Sequence, residues 1–252
     1  MVTRRSIHIG VTEPSYSTRA RDETMQADAE LLHRMAAQKG FRATCLLDAA
    51  ATADGLAQAL DAASTPEGTE TLLLITFAGH GARVAHDFET DEAWCLQDAV
   101  LRDEVLVEWL GRFHAGTRVV VVSDSCHSGG MDKALGAGLL DPRWMPRSLY
   151  MEELSGETRV VEPGEGGEPV ASVVFLHACE PLEYAVSLEG HGVFSRAVAD
   201  AWERDDADSY PTLQQQLHDE VVGRLRAAGG PLMRPRLARR GSRLFSNRRP
   251  FS

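Results

Sequence analysis

Two residues of this chain have types and settings suited to covalent chemistry. Cys126 stands in the run Asp124-Ser125-Cys126-His127-Ser128-Gly129-Gly130, just past the apolar stretch Val119 to Val122. His80 stands in Ala78-Gly79-His80-Gly81, just past the apolar stretch Leu72 to Phe77. A free thiol has a pKa near 8.5, and a neighbouring imidazole raises its thiolate fraction. The thiolate can then attack a carbonyl carbon, and the imidazole can return the proton to a leaving amine. Gly79 and Gly81 allow a substrate to approach the backbone with no Cβ in the way. The amides of Gly81 and Cys126 are candidate oxyanion donors, a contribution of about 3 kcal/mol per donor. Taken singly, a cysteine at a strand end is usually packing, and a histidine there usually ties a turn. The joint setting, two glycine-flanked residues 46 positions apart after two buried strands, favours the reactive pair. His127 is the rival base, but sequence neighbours usually point apart, so it reads as a residue that orders the loop. Neither Ser125 nor Ser128 sits in a G-x-S-x-G elbow, which leaves a serine hydrolase weakly supported.

Alternating strands and helices must position these residues. Strands are expected at Ile7–Val11, Thr44–Leu47, Thr71–Ala78, 119–124 and 173–178. Helices are expected at Ala27–Gln38 with Gly40 as a stop, at Thr52–Ala63 with Thr52 as the cap, at Glu104–Phe113, and near 193–204 and 212–227. Runs of Val, Leu and Ile separated by helices describe a mostly parallel sheet covered on both faces. In such sheets ligands bind beyond the carboxyl ends of the strands, which is where His80 and Cys126 fall. Residues 156–169 read as a surface loop. The tail from Gly229 to Ser252, with seven arginines and no acid, reads as a solvated edge segment or, alternatively, a basic docking surface. No internal repeat or clear linker divides the chain, so one domain over residues 1–252 is expected.

Composition narrows the function classes. A net charge of −11, from 26 basic and 37 acidic residues, argues against general nucleic-acid binding and suits a cationic substrate or a divalent metal. Cys45, Cys95, Cys126 and Cys179 contain no C-x-x-C pair, which disfavours a zinc ribbon, a thioredoxin-type motif or a disulfide scaffold. The N-terminal MVTRRSIHIGV lacks a long apolar run, and no stretch reaches the length of a membrane span. A soluble cytoplasmic protein with no membrane association is the expectation.

At the two motifs the sequence resembles the caspase-like peptidases, specifically the metacaspase branch and its bacterial members. The His80-Gly81 pair and the run from Asp124 to Gly129 look like that family's two catalytic motifs. Ile9-Gly10-Val11, Asp28-Ala29 with Leu31-Leu32 and Gly40-Phe41, Ala178-Cys179-Glu180, Gly190 to Ser195, and Arg236-Leu237 through Pro250-Phe251 look like further family segments. The resemblance implies a three-layer α/β/α caspase-hemoglobinase fold with a mostly parallel central sheet. It implies a cysteine endopeptidase that cleaves protein or peptide substrates after Arg or Lys through a His80/Cys126 dyad. Asp28 and Asp124 match acidic positions lining the family's S1 pocket, and a carboxylate pair is suited to gripping a guanidinium. One departure is Ala78, where the family usually has Ser; it keeps open a different P1 preference. A silent signalling module with the same fold is the other alternative, and the presence of both His80 and Cys126 disfavours it.

The resemblance also implies calcium as an activator in many members, although no cofactor is needed for the chemistry. Asp91-Glu92 and Asp103-Glu104 look like the family's metal-site acids, and Asp132 lies one residue short of another; Asp91, Asp103 and Asp132 are thus the candidate ligands. Where the family often has two adjacent aspartates this chain has Arg102-Asp103. A solvated acidic loop is the alternative reading of residues 86–108. Autoprocessing after the cysteine is a further expectation, with Lys133, Arg143, Arg147 and Arg159 as basic sites, and a regulatory partner protein is a third means of control.

Overall fold

The computed structural model describes residues 2–16, 21–86, 89–125, 145–146, 158–164, 169–181 and 183–252. Its centre is a six-stranded sheet. In chain order the strands and helices are β1 (Thr3–Gly10), α1 (Thr24–Gln38), β2 (Arg42–Leu47), α2 (Ala53–Ala63), β3 (Thr71–Ala78), β4 (Gly81–His86), β5 (Glu89–Cys95), β6 (Ala99–Arg102), α3 (Asp103–Leu110), β7 (Thr117–Asp124), β8 (Met145–Pro146), β9 (Arg159–Val161), β10 (Ser172–His177), β11 (Val186–Leu188), β12 (His191–Gly192), α4 (Val193–Arg204), α5 (Tyr210–Ala227), β13 (Arg236–Arg240) and α6 (Arg243–Ser246). The central order is β13-β10-β7-β3-β1-β2, parallel throughout except for β13, which runs antiparallel to β10. This is the three-layer α/β/α architecture with a mostly parallel sheet.

The strands are apolar on both faces because each face meets a helical layer. Leu72, Leu74, Val120 and Val122 point into a core shared with α1, α4 and α5. Their neighbours Leu73, Ile75, Val119 and Val121 point the other way, against α2 and α3. At about 1.5–3 kcal/mol for each fully buried large apolar side chain, these two faces dominate the stability of the sheet. Thr52 caps α2 as the sequence suggests, accepting a hydrogen bond from Gly55 N at 2.9 Å. Gly40, with φ +82°, follows α1 in the left-handed conformation that halts a helix.

The described part of residues 86–108, read alternatively as a solvated acidic loop, belongs mostly to strands and to α3. The strands are those of an antiparallel meander, β4-β5-β6, extended by β9 pairing parallel to β6. The reason is an apolar set within the charged sequence. Ala82, Val84, Ala93, Cys95 and Val100 bury one face around Tyr16, while Trp94, Leu96 and Leu101 join the main core. β9 likewise falls inside the segment expected to be a surface loop. The arginine-rich tail supplies the edge strand β13, consistent with a solvated edge. Among the described residues, no helix is long and apolar enough to cross a membrane.

Candidate active site

Strand register brings the chemistry to one end of the sheet. Gly10 pairs with Ala78, and Ala78 pairs with Asp124, so β1, β3 and β7 end level. Gly79 N then donates to Asp124 O at 3.5 Å, and Ala178 N to Ser123 O at 3.0 Å. His80 follows β3 and is 3% exposed; its carbonyl accepts from Cys95 N at 3.0 Å. Gly81 begins β4, directly opposite Trp94. Cys126, the next residue after the buried Ser125, lies outside the described residues, as do His127, Ser128, Gly129 and Asp132.

The two acids expected at S1 converge on one helix end. Asp28 is fully buried, not a solvated helix-face acid. Its Oδ1 is 2.8 Å from His191 Nδ1, and its Oδ2 accepts from Gly192 N at 2.9 Å. Asp124, also fully buried, accepts at Oδ2 from Ser195 N at 2.9 Å and from Ser195 Oγ at 2.7 Å. Gly192 is the cap and Ser195 the third residue of α4, so both carboxylates sit at the positive end of that helix. α1 can approach β1 closely enough to present Asp28 because Gly10 has no side chain: a Cβ there would lie 2.9 Å from Ala29 Cβ and from Met25 O.

A third acid went unnoticed in the sequence. Asp22 is buried beside this assembly; its Oδ1 accepts from Thr24 N at 2.9 Å and from Thr24 Oγ1 at 2.6 Å, and Ser187 Oγ is 3.5 Å from its Oδ2. Ser187 in turn pairs with Gly192. An acid two residues before a helix reads as ordinary capping, and only the strand pairing at Gly192 reveals that it shares a site with Asp28.

The acids expected to bind calcium stand elsewhere. Glu92, Asp103 and Glu104 line a cleft of about 550 Å³ together with His177 and Arg236. Arg236 pairs with Glu92 at 2.5 Å. Arg102, only 2% exposed, pairs with Glu162 at 2.9 Å and Glu104 at 3.2 Å. Calcium requires six to eight oxygens at about 2.4 Å. Among the described residues no group of three or more His, Cys, Asp or Glu side chains is placed to hold a metal ion. Among the described residues, guanidinium groups pair with two of the cleft's carboxylates, Glu92 and Glu104. The side chain of Asp91 lies outside the described residues, with Asp132.

The remaining thiols are poor nucleophiles. Burial pushes Cys95 up to about 12 and Cys45 up to about 11. Cys179 is buried, and its Sγ–H is directed to Glu183 O at 3.4 Å. Of the basic autocleavage positions, Lys133, Arg143 and Arg147 lie outside the described residues. Arg159 is in β9, paired with β6, where a protease could not take it as an extended free strand.

A family model described as Caspase domain matches residues 8–239. Metacaspase-9 of Arabidopsis thaliana is 37% identical over 70 residues, a match covering 25% of this chain and only 22% of that protein. The crystal structure of protein GSU0716 from Geobacter sulfurreducens superposes with a TM-score of 0.75 at 25% identity, covering 99% of this chain and 98% of that one.

Proposed function

The chain belongs to the caspase-domain family, and from that premise we propose that it is a cysteine-type endopeptidase that cleaves peptide bonds after Arg or Lys by means of Cys126 and His80. Its substrates are proteins or peptides. The observation that carries the basic P1 preference is the convergence of the buried Asp28 and Asp124 on the first turn of α4, beside the ends of β3 and β7. Two carboxylates at the base of one site favour a cation and, for arginine, offer paired acceptors to its planar fork.

The chemistry follows from the strand ends. Cys126 thiolate attacks the scissile carbonyl carbon, and the carbonyl oxygen becomes an oxyanion held by the Gly81 and Cys126 amides. His80, protonated by taking up the thiol proton, donates to the departing amine as the C–N bond breaks. A water then attacks the thioester with His80 as base, releasing the new carboxylate and the free thiol. No cofactor enters these steps. The cation that the acidic cleft needs is supplied by Arg102 and Arg236 rather than by calcium. Autoprocessing is proposed at Lys133, Arg143 or Arg147 in preference to Arg159. The free thiols at Cys45, Cys95 and Cys179 suit a cytoplasmic setting.

Hydrolysis of Arg-, Lys-, Asp- and Asn-P1 peptides by wild type and Cys126→Ala tests the proposal. Arg or Lys turnover that disappears in the variant is expected. Asp turnover would retain the nucleophile but reject the acidic pocket, and turnover that survives in Cys126→Ala would reject the dyad.

A further inference from the structure

We propose that Trp94 is a positioning residue for the reaction, joining the segment that carries His80 and Gly81 to the segment that carries Cys126. This role rests on the His80/Cys126 reading. Its main chain and its ring hold different motifs. Along the backbone, Trp94 faces Gly81 across the β4–β5 ladder, and the adjoining Cys95 N donates to His80 O at 3.0 Å. Through the indole, Nε1 donates to Ser123 Oγ at 2.9 Å, and Ser123 Oγ is 2.8 Å from Ser125 Oγ. Ser125 immediately precedes Cys126 in sequence.

The ring itself is fixed from below. It stacks on Phe77 with centroids 4.6 Å apart and planes 8° from parallel. Phe77 lies under Gly79, where an added Cβ would come within 2.6 Å of Phe77 Cζ. A single stack therefore touches the residue before His80 and, by two hydrogen bonds, the residue before Cys126. Trp94, Ser123 and Ser125 are each 2% exposed, so no bulk water substitutes for these bonds. An ordinary core tryptophan needs only some acceptor for its N–H. Here the acceptor is a hydroxyl that passes the constraint on to the loop bearing the proposed nucleophile.

The test compares Trp94→Phe, which keeps a ring on Phe77 but deletes the donor, with Ser123→Ala and the double variant. Ser123→Ala removes one hydroxyl and provides the answer should Trp94→Phe fail to fold. The measurements are kcat and KM on an Arg-P1 peptide and the pH dependence of Cys126 alkylation by iodoacetamide, located by mass spectrometry. Because Cys45 and Cys95 titrate far above neutrality, background labelling is slow. Each single variant is expected to lower kcat about ten-fold, the scale of one lost buried hydrogen bond, with KM within about two-fold. The alkylation profile should shift, and the double variant should be no worse than the worse single one. Wild-type kcat and alkylation profile in both single variants, with only a lower melting temperature, would overturn the positioning role. Undiminished turnover by Cys126→Ala would instead overturn the dyad, and with it any need to position Cys126.

Discussion

Two sets of acids that the sequence offers as candidate ligands have opposite surroundings in the structure. Asp28 and Asp124 are buried, and the partners described for them are backbone amides, a serine hydroxyl and a half-exposed imidazole, all at the start of α4. Glu92 and Glu104 are paired with Arg236 and Arg102, at a cleft lined by β5, α3, β10 and the edge strand β13. In the first set hydrogen bonds hold the carboxylates at the site proposed to take a substrate cation, which would supply the balancing charge. In the second the chain supplies its own. An acid's partners, more than the density of acids, decide whether it is available to a ligand.

The largest effect that would break this contrast is at Asp124 and Asp28. Asp124→Asn or Asp28→Asn is expected to reduce kcat/KM for Arg-P1 peptides by about 100-fold, as loss of a charge-assisted contact implies. Peptides with an uncharged P1 should lose much less. An equal loss on both would make these acids supports of α4 instead of substrate ligands.

Next in size is Arg102→Asp. Removing a buried guanidinium should cost about 1–3 kcal/mol of stability, read by urea denaturation. The same substitution restores two adjacent aspartates at 102 and 103. It should create a calcium-dependent rise in melting temperature that wild type lacks. A calcium response in wild type equal to that of the variant would contradict self-neutralisation of the cleft.

Acid titration separates carboxylate effects from a buried histidine. Desolvation, with His33 nearby, holds His8 down at about 3, and its Nδ1 is 2.9 Å from Thr76 Oγ1. The unfolded chain therefore binds a proton near pH 6.5 that the folded chain refuses until about pH 3. His8 thus favours folding fully above pH 6.5, and this contribution is lost as pH falls through the window between those values. The slope is up to about 1.4 kcal/mol per pH unit. Denaturation between pH 7 and pH 4.5 should show this slope, and His8→Asn should flatten it. The smallest expected effect is that of a chelator on wild-type turnover, which should stay within about two-fold of the untreated rate.

Much of this was legible in the residues. The apolar runs at 71–78 and 119–124 read as buried strands, and their carboxyl ends, Ala78 and Asp124, do lie side by side. Periodicity also marked the helix at 193–204 and the Thr52 cap. The β4–β6 meander was hidden, because its apolar Val84, Ala93, Cys95 and Val100 are diluted by charged neighbours in the sequence. Asp22 was hidden for a different reason: its partner Ser187 is 165 residues away.

By itself, then, the sequence determined the layered fold and named the residues proposed for the chemistry, because strand burial and residue type are local properties. Tertiary structure alone decided that Asp28 and Asp124 meet at the start of α4. It also decided that Trp94 hydrogen-bonds Ser123, that Arg102 meets Glu162, and that Arg236 meets Glu92. Charge pairing and hydrogen bonding act over a few ångströms in space, and distance along the chain does not report that separation.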